Sequence, residues 1–165
     1  MDYEPSQLPE VDAVEMVELV GLRPNRVSEY MRIAFDAPYV RVKGETAQQI
    51  AHLWRQLPPS EQMRCHNPPF GLRFYMGDKL LVQGSICWGC NNIYVEENGE
   101  KSVYKFDGQH TYSQQLLALL EPFAVYYYQK MSLRQLKEVG RKRGVQPVGD
   151  VETRSSWIEA LIAHQ

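Results

Sequence analysis

Two of the three cysteines in this 165-residue chain stand in the stretch "SICWGCNN", as Cys87 and Cys90. A C-x-x-C spacing serves thiol–disulfide chemistry, zinc binding, or two small buried side chains. In an unbroken strand, residues three apart face opposite sides, so both sulfurs meet one metal or one disulfide only if the chain turns between them. Gly89, followed by Asn91 and Asn92, supplies residues that permit such a turn. A structural zinc site needs four ligands. Cys65 and His66, about twenty residues upstream, are the candidates to complete a set with Cys87 and Cys90, and His110 is a further one. Adjacent residues seldom converge on one ion, so either Cys65 or His66 is expected to serve. Thiol activation would require a helix N-terminus at the first cysteine. The text after Cys90, "NNIYVEENG", reads as strand and hairpin, which makes a redox enzyme the lesser reading.

Other chemistry is sparse. No G-x-S-x-G, phosphate-cradling glycine loop, H-E-x-x-H or dinucleotide fingerprint occurs. Glu96, Glu97 and Glu100 flank a hairpin tip, and Glu15 and Glu18 alternate along a strand or helix surface. Neither set pairs with an evident proton donor, so the expectation is a protein that is not an enzyme.

The elements that position these residues follow from periodicity. "VEMVELVGL", "YMRIAF" and "YVRVKG" read as strands separated by turn residues. "ETAQQIAHLWRQL" places Ile50, Leu53, Trp54 and Leu57 on one helical face, with His52 opposite, and Pro58-Pro59 ends it. "FGLRFYM" and "KLLVQGSICW" flank Gly77-Asp78, and "NIYVEE" and "KSVYKF" flank Asn98-Gly99; both pairs are hairpin signals. The expected fold is α+β: an antiparallel sheet including a four-strand meander, two packed helices, and a small C-terminal helix-loop-helix. The second packed helix, "QQLLALL", is expected to be capped by Ser113 and to end near Pro122. The domain reading is a flexible lead-in over 1–10, an α+β domain over 11–122, a linker over 123–131 and a helical module over 132–165. Tyr126, Tyr127 and Tyr128 fall in that linker; packing against the sheet is favoured for them over a stacking platform for bases.

Composition bounds the function classes. The chain is 44% hydrophobic and 23% charged, with a net charge of -2 and a pI near 6.1. These are values of a folded globular protein, not one devoted throughout to coating nucleic acid. No apolar run reaches a membrane span, and the acidic start "MDYEPSQLPE" is unlike a secretion signal. Three cysteines, an odd number, argue against a disulfide framework, so the expected setting is the cytoplasm without membrane attachment.

The last segment, "MSLRQLKEVGRKRGVQPVGDVETRSSWIEALIAHQ", has Ser132 as an N-cap, a stripe of Leu133, Leu136 and Val139, and Gly144 as a helix stop. After the turn, Ser155 or Ser156 is expected to cap a second helix with Trp157, Ile158, Leu161 and Ile162 inward. Through Leu133, Leu136-Lys137, Arg143-Gly144, Gly149 and Trp157-Ile158-x-x-Leu161, this segment resembles the SAP-like and Rho N-terminal-like helical modules. Members of that group bind DNA or RNA, or contact proteins. The resemblance implies a positive face made of Arg134, Lys137, Arg141, Lys142, Arg143 and Arg154. One departure stands out: Gly149 is followed by Asp150-Val151-Glu152, where such modules often carry a lysine aimed at phosphate. The stretch from "RCHNPPFGLRF" through "SICWGCNNIYV" to "FDG" also resembles a family of small bacterial proteins without assigned activity, which implies a folded domain and no reaction. The composite expectation is a binding protein contacting nucleic acid or a protein. The alternative is a zinc-stabilised or thiol-redox domain centred on Cys87 and Cys90.

Overall fold

The computed structural model describes residues 2–19, 21–37 and 39–163, without the side chains of 124–127, 130 and 162. The chain divides into two compact units, residues 1–119 and 120–165. Among the described residues the architecture is α+β, with a six-stranded antiparallel sheet and five α-helices.

In the first unit the strands are β1 (Ala13–Glu18), β2 (Tyr39–Lys43), β3 (Phe70–Met76), β4 (Lys79–Cys87), β5 (Asn92–Glu97) and β6 (Glu100–Lys105), in spatial order β2-β1-β3-β4-β5-β6. Strands β3 to β6 are the expected meander. Its turns form because Gly77 (φ 59°), Asn98 (φ 52°) and Gly99 (φ 79°) take the left-handed backbone that two-residue hairpins require. A bulge between Phe74 and Tyr75 shifts the β3–β4 register beyond Phe74.

Every residue of β1 is buried, so both faces of the sheet are covered. On one face lies α2 (Gly44–Arg55), whose Trp54 ring sits 4.9 Å from that of Phe74. Ala47, Ile50 and Ala51 fill the rest of its inward side, while His52 is exposed as expected. The other face carries α1 (Tyr30–Ile33), entered through a 3-10 turn at Val27–Glu29. "YMRIAF" is therefore helical where a strand was expected. Met31 and Ala34 join Tyr30, Val17 and Leu19 in a small core. Met31 presses so closely on Gly71 that a Cβ there would lie 2.2 Å from its sulfur. That contact is tertiary, and a six-residue apolar run gives no hint of it.

The first ten residues were expected to be flexible, yet residues 2–10 are pinned. Tyr3 and Leu8 are buried, and Trp54 donates its indole N–H to the Tyr3 hydroxyl at 2.8 Å. Arg55 binds the carbonyls of Leu8 and Pro9. Two aromatic or aliphatic anchors outweigh the polar, Pro-containing composition of this stretch.

Helix α3 (Thr111–Lys130) runs through the boundary between the units. It was expected to end near Pro122, with a linker after it, but it continues for two more turns. A proline costs an interior helix one hydrogen bond without always ending it. Ser113 lies inside the helix, donating to the Asp107 carbonyl at 2.6 Å, rather than capping it. Of the three tyrosines, Tyr128 is fully buried; the side chains of Tyr126 and Tyr127 lie outside the described residues.

The second unit holds α4 (Leu133–Arg143) and α5 (Arg154–Ala163). Ser132 and Gln135 form a reciprocal capping box, and Gly144 ends α4 at φ 68°. Leu136, Val145, Trp157, Ala160 and Leu161 make the helix-pair core. Helix α5 starts at Arg154, so Ser155 and Ser156 lie inside its first turn rather than capping it, and the Ile162 side chain is outside the described residues. Among the described residues no helix is long and apolar enough to cross a membrane.

Candidate functional sites

The C-x-x-C question has a geometric answer. Strand β4 ends at Cys87, and Trp88 to Asn91 form a turn in which Asn91, at φ 56°, makes the reversal. The turn brings the Cys90 sulfur round to meet an incoming loop. Cys65 Sγ lies 3.1 Å from Cys90 Sγ, while Cys87 donates to the Asn67 carbonyl at 3.4 Å. All three cysteines are free thiols; Cys65 is exposed and the other two are buried. The hydrogen bond with Cys90, then burial, raises the Cys65 thiol above its usual range, and burial raises Cys90. Neither is an activated thiolate at neutral pH.

His66 faces a different set of partners. Its Nδ1 lies 2.5 Å from Asn92 Oδ1 and its Nε2 2.7 Å from Ser85 Oγ. Asn92 spends its amide N–H on the carbonyls of Cys65 and Arg64, which turns its oxygen toward the imidazole. Burial keeps the ring neutral at pH 7, so with Nδ1 donating to Asn92, Nε2 accepts from the Ser85 hydroxyl. Burial pushes its pKa down to about 4. Tyr30 and Tyr94 pack against the ring at 5.6 and 4.4 Å. The bond order Ser85–His66–Asn92 is that of a nucleophile, base and orienting group. With Ser85 2% exposed and Asn92 fully buried, it presents no nucleophile to solvent. It is a polar knot that ties the 64–69 loop to β4 and β5.

Of the four tentative metal ligands, the fold brings Cys65 and Cys90 into contact and commits both nitrogens of His66 elsewhere. Among the described residues no group of three or more His, Cys, Asp or Glu is arranged to hold a metal. His110 is exposed, and its Nδ1 accepts the Tyr112 N–H at the start of α3.

A second site escaped sequence reading. The pairing register aligns Arg41, Glu15, Arg73, Gln83, Glu96 and Lys101 in one row across all six strands. Cross-strand partners share a face, so the row is continuous on the α1 side. Glu15 is its hub: it accepts from Arg41 at 3.2 Å and from the Tyr75 hydroxyl at 2.9 Å, and pairs with Arg73 at 3.6 Å. Burial and the Glu15 carboxylate raise Tyr75 to about 12. Arg73 also donates to Gln83 and to the Ala34 carbonyl at the end of α1. Above the row opens a cavity of about 660 Å³, floored by Glu15, Arg73 and Gln83 and walled by Phe35, Tyr39 and Leu80. Phe35 is 79% exposed at its mouth. The available signal was a charged residue in the interior of each of three largely apolar strands: Glu15 in β1, Arg41 in β2 and Arg73 in β3.

In the second unit, the expected cations are placed on and around α4 and α5. Lys137 pairs with Glu152 at 2.9 Å, and Arg141 and Lys142 with Glu138 at 2.6 and 3.9 Å. Arg143 donates to the Leu161 carbonyl and the Tyr128 hydroxyl, and Arg154 to the carbonyls of Met131 and Gln129. Arg143 thus braces α4 against α5, and Arg154 ties the start of α5 to the end of α3. Arg134, Lys137 and Arg141 instead line one open groove of about 440 Å³ along α4, shared with Glu138.

Compared with known proteins, the chain matches no family model, no curated protein and no solved structure.

Proposed function

We propose that this is a cytoplasmic binding protein, without catalysis of its own, whose SAP-like C-terminal module contacts a polyanionic surface: nucleic acid, or an acidic face of a protein. The observation that carries the reading is the alignment of Arg134, Lys137 and Arg141 along one groove of α4, with Leu136, Trp157, Ala160 and Leu161 turned inward. Charge distribution supports it. Residues 120–165 carry seven Lys or Arg against five Asp or Glu, a net +2, whereas residues 1–119 carry eleven against fifteen, a net -4. Glu138 and Glu152 neutralise part of the groove, but exposed ion pairs are weak and exchange readily for phosphate or carboxylate partners. The expected affinity is modest, because few phosphates are reached. The cavity over the charged row of the sheet supplies a second contact, independent of the first.

The test is fluorescence anisotropy of the full chain with a labelled DNA duplex and, separately, a labelled acidic peptide. The combined variant R134E/R141E should weaken association at least tenfold and leave the circular dichroism spectrum unchanged. Association that survives the double reversal would overturn the reading. Binding of one probe and not the other identifies the class of partner.

A further inference from the structure

The three thiols lie outside that binding surface, and their arrangement carries a separate proposal. Cys65 is exposed on a loop, and its sulfur is 3.1 Å from the buried sulfur of Cys90. A disulfide needs a sulfur separation near 2.05 Å, so closure requires a movement of about 1 Å. The two backbones are already joined: the Arg64 N–H donates to the Cys90 carbonyl at 3.0 Å, and Asn92 holds the carbonyls of Arg64 and Cys65. Cys87, the sequence neighbour in the C-x-x-C, donates to the Asn67 carbonyl and also lies beside Cys90, but it is buried and does not meet an incoming reagent.

We propose that Cys65 and Cys90 form a reversible thiol-exchange site for low-molecular-weight disulfides, with Cys65 as the entry thiol and Cys90 as the resolving thiol. In the first step the Cys65 sulfur, losing its proton to solvent, attacks one sulfur of the small disulfide. An S–S bond forms on Cys65, and one small thiol leaves with a proton. In the second step Cys90 attacks the Cys65 sulfur, expels the second small thiol and closes the Cys65–Cys90 bond. Two protein thiols are oxidised and one external disulfide is reduced to two thiols, so electrons and protons balance. The entry residue follows from exposure, since only Cys65 meets an incoming reagent. The resolving residue follows from proximity. The raised thiol pKa of both residues makes the exchange slow at neutral pH, which suits a lasting state of the domain more than a rapid catalytic cycle. The bond would fasten the 64–69 loop, and with it His66, onto the β4–β5 turn.

The experiment treats the full chain with glutathione disulfide and counts thiols after denaturation, with peptide mapping by mass spectrometry. Expected is a fall from three thiols to one, a Cys65–Cys90 cross-linked peptide, Cys87 free, and a melting temperature higher by roughly 5 °C or more. Excess dithiothreitol should reverse all of these. Cys90→Ala should stall with glutathione on Cys65, whereas Cys87→Ala should close normally. A Cys87–Cys90 cross-link, a persistent glutathione adduct on the unsubstituted chain, three unreactive thiols, or stoichiometric metal holding them would each overturn the proposal. The map of the unsubstituted chain decides the matter even where a variant fails to fold.

Discussion

The Glu15 carboxylate lies 3.6 Å from the Arg73 guanidinium across the β1–β3 boundary, with both side chains less than a tenth exposed. Removing one charge from such a pair strands the other in a low-dielectric site, whereas removing both leaves apolar packing. Glu15→Leu alone is expected to cost about 3–5 kcal/mol, because Arg73 and Arg41 both lose their carboxylate. Glu15→Leu combined with Arg73→Met should recover more than half of that loss. Urea denaturation of the two single variants and the double variant checks the coupling, and strict additivity would contradict it.

His66 makes stability depend on pH. Its pKa is about 4 in the folded chain against about 6.5 when unfolded. Between these values the unfolded state binds more protons, so stability rises with pH through that window. The His66 contribution is complete above about pH 6.5 and is lost as pH falls toward 4, a change on the order of 3 kcal/mol. Thermal melts from pH 7 to pH 4.5 should show the decline. His66→Gln should flatten it, though from a lower starting stability.

The buried bond from Trp54 to Tyr3 fastens the N-terminal residues to α2. Tyr3→Phe removes the acceptor and leaves an indole N–H unsatisfied in a fully buried residue, at a cost of about 1–3 kcal/mol. Amide exchange should accelerate over residues 2–10 more than elsewhere. An unchanged exchange pattern would mean that apolar burial of Tyr3 and Leu8 suffices.

Gly140 stands where α4 meets α5. A Cβ at that position would lie 2.3 Å from the Trp157 ring, so Gly140→Ala must force the helices apart. The expected loss is about 1–3 kcal/mol, confined to the second unit. Hydrogen exchange should show lost protection over 133–161 and none over β3 to β6. Gly89→Ala, with open space around its Cβ, is the matched control.

What the sequence reveals depends on how local its cause is. The hairpins at Gly77-Asp78 and Asn98-Gly99 are legible because turn backbones demand particular residues within a few positions. The capping box at Ser132 and the stop at Gly144 are legible for the same reason. "YMRIAF" is not, since its helix is fixed by Met31 settling over Gly71, forty residues away in sequence. The row from Arg41 to Lys101 depends on register, and a one-residue slip would place each side chain on the opposite face; the Cys65–Cys90 contact depends on where the 64–69 loop meets the turn after β4. His66 was found as a residue of interest, but it lies on a loop and its partners Ser85 and Asn92 come from strands β4 and β5.

The most direct test of the central claim is the salt dependence of association between the full chain and a DNA duplex. If Arg134, Lys137 and Arg141 each neutralise one phosphate, the logarithm of the binding constant should fall against the logarithm of salt concentration with a slope of roughly -2 to -3. R134E/R141E, which removes two of the three contacts, should reduce that slope to a magnitude of about 1 or less. A steep slope that the double reversal leaves intact would contradict the account, as would binding indifferent to salt.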